Sequence, residues 1–254
     1  MGKLTLDVGG VLDPARVAGS IDAKKNMKNR LNNSIFAVVS IGGALLLFIG
    51  TYFHPMDADP SASLVAFAEY AADRHWIASH LIQLSGAALM IAALVLLGSM
   101  LLNGRARALA AVGIAGAVAS LAVAAVLQAV DGIALKTMTN AWFSAPEAEK
   151  GSLFHAALAV RQIETGLASV ASLLFGLTAS LFGIALWIDR RFPVWLGVLA
   201  VAGGVSTAIA GVAMAYTGFS ELTMAINMPA NIVLLLWIVS LGLYVGSTKA
   251  ITLG

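Results

Sequence analysis

Residues 80–105 read HLIQLSGAALMIAALVLLGSMLLNGR, and between the histidine and the arginine the stretch 81–102 carries no charge. At 1.5 Å of rise per residue a helix of that length covers about 33 Å, the thickness of a bilayer's hydrocarbon core. The run does not alternate polar with apolar, so it does not suit a barrel strand, and a helix pairs all its own backbone groups in lipid. Five more stretches read the same way. With this one they give spans at 33–53, 81–102, 108–130, 166–188, 194–217 and 228–248. The fourth is expected to start earlier, near Ser152, with its first turns outside the hydrocarbon.

Composition agrees. The chain is 59% hydrophobic and 11% charged, where soluble domains carry about 25% charged residues. The sequence therefore predicts an all-α polytopic membrane protein, a six-helix transmembrane bundle. Its divisions are a basic N-terminal segment at 1–32, the spanning domain at 33–249 and a short tail at 250–254. The chain has no cysteine, which excludes disulfides, thiolate metal sites, iron–sulfur ligation and c-type haem attachment. It also lacks an HExxH run, a GxSxG elbow and a P-loop, so the common zinc-peptidase, serine-hydrolase and nucleotide-hydrolase signatures are missing.

Charge gives the orientation. Lys3, Arg16, Lys24, Lys25, Lys28 and Arg30 precede the first span. Arg105 and Arg107 fall in one turn, Arg190 and Arg191 in another, and Lys249 follows the last span. These are eleven of the fifteen basic residues, and they share one side, the cytoplasmic one by the positive-inside rule. All four histidines and nine of the thirteen acidic residues lie opposite. Both termini are thus expected in the cytoplasm of a bacterial-type cell, with the first span an uncleaved signal anchor in the cytoplasmic membrane. Topology and attraction to anionic lipid account for the basic charge, so nucleic acid is not expected as a partner. The expected partners are the lipid bilayer and either a membrane protein subunit or a second copy of the chain.

The outer side is the elaborated one. His54-Pro55 closes the first span, because a residue before proline is pushed out of helical geometry. Ser61 suits the cap of a short helix from Ala62 to about Arg74, with Leu64, Phe67, Ala68 and Ala71 on one face. That helix is too short to span and suits an extracytoplasmic lid. Residues 137–151 are expected as a second outer loop.

Polar residues recur at one depth on this side. The spans Arg30 to His54, His80 to Arg105, Arg107 to Asp131 and Glu164 to Arg190 each separate an imidazole or carboxylate from a basic residue by 24 to 26 positions. Helix ends are also where solvated polar groups belong, so common depth partly restates common span length. Helical phase refines the set. His155 and Glu164, nine apart, stand about 180° apart around the helix, and His75 and His80, five apart, about 140°. Neither is a chelating pair. His80, Asp131 and Glu164 form the expected core of a pocket or metal site, with His54 as a fourth member. Arg161, Gln83, Gln128 and Tyr216 are the supporting residues. Gln83 and Gln128 share faces with His80 and Asp131, and Arg161 stands one turn before Glu164, where it can hold an anion or pair with the carboxylate.

Two imidazoles and two carboxylates suit a divalent ion such as zinc, iron or manganese. Haem is not expected: a b-type haem needs two inward histidines, His80 with His54 or His155 is the one pairing available, and no second set lies on the cytoplasmic side to continue a relay across the membrane. The reading with most support is a binding or accessory protein for a metal ion, a lipid headgroup or a partner subunit. A metal-dependent or acid/base enzyme acting on a lipid-like substrate is the alternative. A small-solute transporter is a further one, weakened because the middle thirds of the spans carry no ionisable residue.

Overall fold

The computed structural model describes the backbone of residues 14–247, and the side chains of residue 27 and of residues 29–247. Among the described residues every regular element is helical, in the order α1 (Pro14–Tyr52), α2 (Ser63–Ala72), α3 (Trp76–Leu101), α4 (Arg107–Ala129), a π-helical turn (Val130–Leu135), α5 (Lys136–Ser144), α6 (Glu147–Ile188), α7 (Val194–Thr217) and α8 (Glu221–Ser247). Six helices are long and apolar enough to cross a membrane, with α4, the π turn and α5 counting as one.

Those six form a ring in chain order. α1 packs on α3, α3 on α4, α4 on α6, α6 on α7, α7 on α8, and α8 closes back on α1. Phe36, Leu94, Leu97, Leu101, Phe182, Leu186, Leu196, Trp237 and Leu241 fill the interior as one apolar cluster. The outward faces are apolar as well: Val38, Phe48, Val112, Leu177, Ile209, Ile232 and Leu243 are all exposed. A belt of that kind around a closed ring is the surface lipid covers. Small residues set the spacing of the helices. A Cβ on Gly176 of α6 would lie 2.5 Å from the backbone oxygen of Gly204 in α7, so the two backbones touch where a larger residue would hold them apart.

Several boundaries differ from the sequence expectation. α1 begins at Pro14, a residue suited to the first helical position, and runs unbroken through residues 32 and 33. Good helix formers such as Ala23, Met27 and Leu31 carry it across the polar stretch. The first thirteen residues, with Lys3, and the last seven, with Lys249 and the 250–254 tail, lie outside the described residues, as do the side chains of Arg16, Lys24, Lys25 and Lys28. The expected outer loop at 137–151 is helical on both sides of a short break at Ala145-Pro146, and α6 starts at Glu147 rather than near Ser152. α8 starts at Glu221 rather than 228 and carries Pro229 inside it.

The lid helix is present but shorter. It spans Ser63–Ala72, its cap position is Ala62, and Ser61 instead donates to Asp59 Oδ1 at 2.8 Å. Its buried face is Ala66, Phe67 and Tyr70, not Leu64, which is exposed. That face meets Trp76, Leu135 and Ala157 in a second apolar cluster, with Trp142 and Phe154 packed against it. The protrusion of α5 and of the first turns of α6 creates this platform. Lys136, the first residue of α5, fastens the lid from below. Its ammonium donates to the carbonyls of Tyr70, Ala71 and Asp73 at 2.6, 2.9 and 2.8 Å. A cation there meets the unpaired carbonyls and negative end of α2.

Candidate functional site

Three of the four expected residues come together. His54 follows the end of α1, His80 sits in the second turn of α3, and Asp131 lies in the π turn after α4. One ligand atom from each can be chosen so that all lie within 4.8 Å of one another. His80 Nε2 is 3.0 Å from Asp131 Oδ2, and the His54 and His80 rings stand 4.9 Å apart between centroids.

The backbone fixes how each imidazole presents itself. His80 Nδ1 lies 2.7 Å from the Trp76 carbonyl, and His54 Nδ1 lies 2.8 Å from the Pro55 carbonyl. A carbonyl oxygen only accepts, so both Nδ1 atoms carry a hydrogen and both Nε2 atoms are left to face the cluster. His80 then has acceptors at both nitrogens, a carbonyl on one side and the Asp131 carboxylate on the other. A further proton or a cation must lie between His80 Nε2 and Asp131 Oδ2 to make that approach favourable. Asp131 Oδ1 is buried without a hydrogen-bond partner, which leaves a second lone-pair-rich atom in the same place. Burial holds the His54 imidazole below its ordinary value, and the neighbouring His80 acts in the same direction; this favours the neutral ring.

Trp76 organises the set. Its indole N–H donates to the Asp131 backbone oxygen at 3.0 Å. Its ring lies 4.6 Å from that of His80, 4.8 Å from His54 and 4.3 Å from Tyr70. Burial pushes the Tyr70 phenol up to about 12, so it remains neutral beside the cluster. Gly132 permits the approach of the π turn to α3: a Cβ there would fall 2.6 Å from His80 Cβ and 2.9 Å from Cγ. The π turn itself is the kind of helix irregularity often found at functional sites. A groove of about 550 Å³, lined by Phe48, Thr51, Tyr52, His54, Asp57 and Asp73 among others, opens His54 to the exterior.

Glu164 is placed otherwise than the sequence suggested. It is buried, and both its oxygens accept from Arg161 Nη1 at 2.9 Å. Arg161 also donates to the Pro60 carbonyl at 3.3 Å and lies over the rings of Phe219 at 4.5 Å and Tyr70 at 5.5 Å. Glu164 is thus committed to a neighbouring ion pair under the lid, and Arg161 is its partner rather than a holder of a free anion.

Gln83 and Gln128 form a polar thread beside the triad. Gln128 Nε2 donates to Gln83 Oε1 at 3.2 Å, and Gln83 Nε2 reaches Thr51 Oγ1 at 3.4 Å. Tyr216 is 87% exposed and takes no part. His75 and His155 are exposed at the periphery, as their helical phase implied. Trp76, Gly132 and Lys136 were missed as site residues. The signal for Trp76 was its position one turn before His80, and for Gly132 a glycine next to an acid inside an apolar helix.

The fold defines the class: an integral membrane protein of six spanning helices. No protein-family model matches the chain, and no curated protein and no solved structure matches it either.

Proposed function

We propose that this membrane protein binds a divalent transition-metal ion at the histidine end of its bundle, through His54, His80 and Asp131, and acts as a metal-binding or accessory protein. The observation that carries the reading is the tautomeric arrangement. Two buried or half-buried imidazoles tie Nδ1–H to backbone carbonyls and present Nε2 to the cluster that holds the Asp131 carboxylate, the outer-shell pattern of metal-binding histidines. Two nitrogens and one oxygen suit zinc, iron or manganese. The side of the membrane is argued from charge: the basic turns lie at the opposite end, which supports an extracytoplasmic site in a bacterial-type cytoplasmic membrane with both termini inside.

A second reading is a metal-dependent enzyme acting on a lipid-like substrate. Three protein ligands leave a coordination position open, as catalytic zinc sites do, and a groove opens beside His54, one of the three. Transport through the bundle is disfavoured by the apolar cluster that fills its centre.

The test is metal content and affinity of the detergent-purified protein, by elemental analysis and by titration with Zn²⁺, Fe²⁺ and Mn²⁺. About one ion per chain is expected, lost in His80→Ala and Asp131→Asn and kept in Glu164→Gln. Stoichiometric metal retained in both of the first two variants would sink the site. Release of a lipid product that requires both metal and Asp131 would select the enzyme.

A further inference from the structure

The opposite, basic end of the bundle holds a second cavity. The turn between α3 and α4 and the turn between α6 and α7 border an open cleft of about 630 Å³, lined by Asn103, Gly104, Arg105, Asp189, Arg190 and Arg191. The single acid in that lining is already committed. Asp189 is buried, and its carboxylate accepts from Arg191 Nε at 2.8 Å, Arg191 Nη2 at 2.6 Å and the Arg191 backbone N–H at 3.2 Å. Arg191 Nη2 also donates to the Met100 carbonyl at 2.8 Å. The pair therefore staples one turn to the other, and Gly104 lets it close: a Cβ there would sit 2.7 Å from Asp189 Oδ2.

Arg105 and Arg190 remain. Both are exposed, and among the described residues neither has a carboxylate partner. Two unpaired guanidiniums beside a braced third make a site for an anion with several oxygens, since the planar fork matches phosphate two bonds at a time. The depth is that of headgroups. Trp187 and Trp195 flank the α6–α7 turn, each roughly half exposed, and Trp187 donates its indole N–H to the Val194 carbonyl. Tryptophans of this kind mark the membrane–water boundary. Exposed apolar side chains, Val194 and Val198, continue from there along α7, where acyl chains would run. Orienting the protein needs only positive charge in these turns. It needs neither the Asp189–Arg191 staple nor the cavity.

We propose that this cavity is a phosphate site, and that it holds the headgroup phosphate of an anionic phospholipid through Arg105 and Arg190, with Arg191 as the braced wall. Basic pockets between spanning helices on the side facing anionic lipid serve that purpose elsewhere. The inference stands apart from the metal site, which lies at the other end of the bundle.

The test is lipid retention by delipidated protein in mild detergent, read by native mass spectrometry and by thermal shift. The probes are phosphatidylglycerol, phosphatidylcholine and inorganic phosphate. Phosphatidylglycerol is expected to bind in preference to phosphatidylcholine, and Arg105→Gln with Arg190→Gln to weaken it roughly tenfold or more, the loss of one or two charge-assisted hydrogen bonds. Arg74→Gln, at the histidine end, is expected to leave it unchanged. Arg190→Lys keeps the charge but not the fork, and an intermediate loss there supports bidentate binding. Equal binding of the two lipids, or unchanged phosphatidylglycerol binding in the double variant, overturns the proposal. Inorganic phosphate binding as tightly as phosphatidylglycerol supports the phosphate chemistry and overturns the lipid as its source.

Discussion

The carbonyl of Trp76 lies 2.7 Å from Nδ1 of His80, one helical turn further along α3. That contact fixes the tautomer of the imidazole and aims its other nitrogen at Asp131. The same tryptophan also holds Asp131 from the side, through its indole N–H. Trp76→Phe would keep an aromatic side chain and the backbone carbonyl while removing the indole N–H and part of the ring packing. It is expected to weaken zinc affinity on the order of tenfold, within the range for outer-shell partners of metal ligands. Isothermal titration beside a metal-free melting curve checks this; an unchanged affinity would show that the indole N–H does not position the carboxylate.

Gly132 faces His80 with no room for a methyl group. In an ordinary helix, replacing glycine by alanine stabilises by about 1 kcal/mol. Here Gly132→Ala is expected to do the reverse, destabilising by about 1–3 kcal/mol as overpacking does. Metal affinity should fall with it, because the π turn and α3 must separate. Gly166, which faces open space on α6, supplies the contrast: Gly166→Ala should leave the melting temperature unchanged or raise it.

The Arg161–Glu164 pair is buried on both sides, 8% and 3% exposed. Removing one partner strands the other charge, so Glu164→Ala is expected to cost about 3–5 kcal/mol. The double variant Arg161→Met with Glu164→Leu should recover much of that loss, since an apolar pair of similar volume has no charge to desolvate. Denaturation of the single and double variants in detergent measures the cycle. Additive losses would mean the two residues act independently.

Lys136 holds three carbonyls at the end of α2. Lys136→Met keeps most of the side-chain volume and removes the three charge-assisted bonds. Hydrogen exchange of residues 63–72 is expected to speed up by about tenfold or more, from the loss of bonds to a charged group. Exchange in α3 and α7 should not change. Uniform acceleration through the bundle would instead mean that the lysine supports the whole fold.

At the basic end, the hydrogen bonds from Arg191 hold the Asp189 carboxyl below the usual carboxylate range. A depressed folded-state value means the unfolded chain takes up the proton first. The stabilisation is therefore complete above the unfolded value of about 3.9, and it is lost as pH falls through the folded one. Asp189→Asn should lower stability by about 1 kcal/mol at pH 6, an amount discounted because Arg191 is partly solvated. Its difference from the parent should shrink below pH 4. Melting curves from pH 6 to pH 3 test the sign.

The spans and the plane of polar residues were legible in the sequence because lipid imposes a length and charge marks its edges. Depth along a helix can be counted, and His54, His80 and Asp131 share theirs. What counting could not give was the angle around each axis once a helix departs from regular geometry. The π turn, Val130–Leu135, is such a departure and nothing in residues 107–131 announces it; Asp131 nonetheless meets His80, as their common depth suggested. Glu164 illustrates the other limit. Its depth was right for the site, but Arg161 stood one turn away on the same helix, and a local partner reaches a carboxylate before a distant imidazole does. The lid's buried face was misjudged for a related reason: α5 and α6 extend past the expected membrane boundary and offer Phe67 and Tyr70 a protein surface to pack on.

The ring of spans follows chain order, and this has a consequence for assembly. Each helix of the ring except the last meets its neighbour as soon as that neighbour enters the membrane, and the α8–α1 seam joins the two ends of the ring. His54, His80 and Asp131 all belong to the first half of that sequence. The three ligands can therefore meet once α4 and the π turn are in place, and α6 arrives afterwards to complete the apolar platform around Trp76.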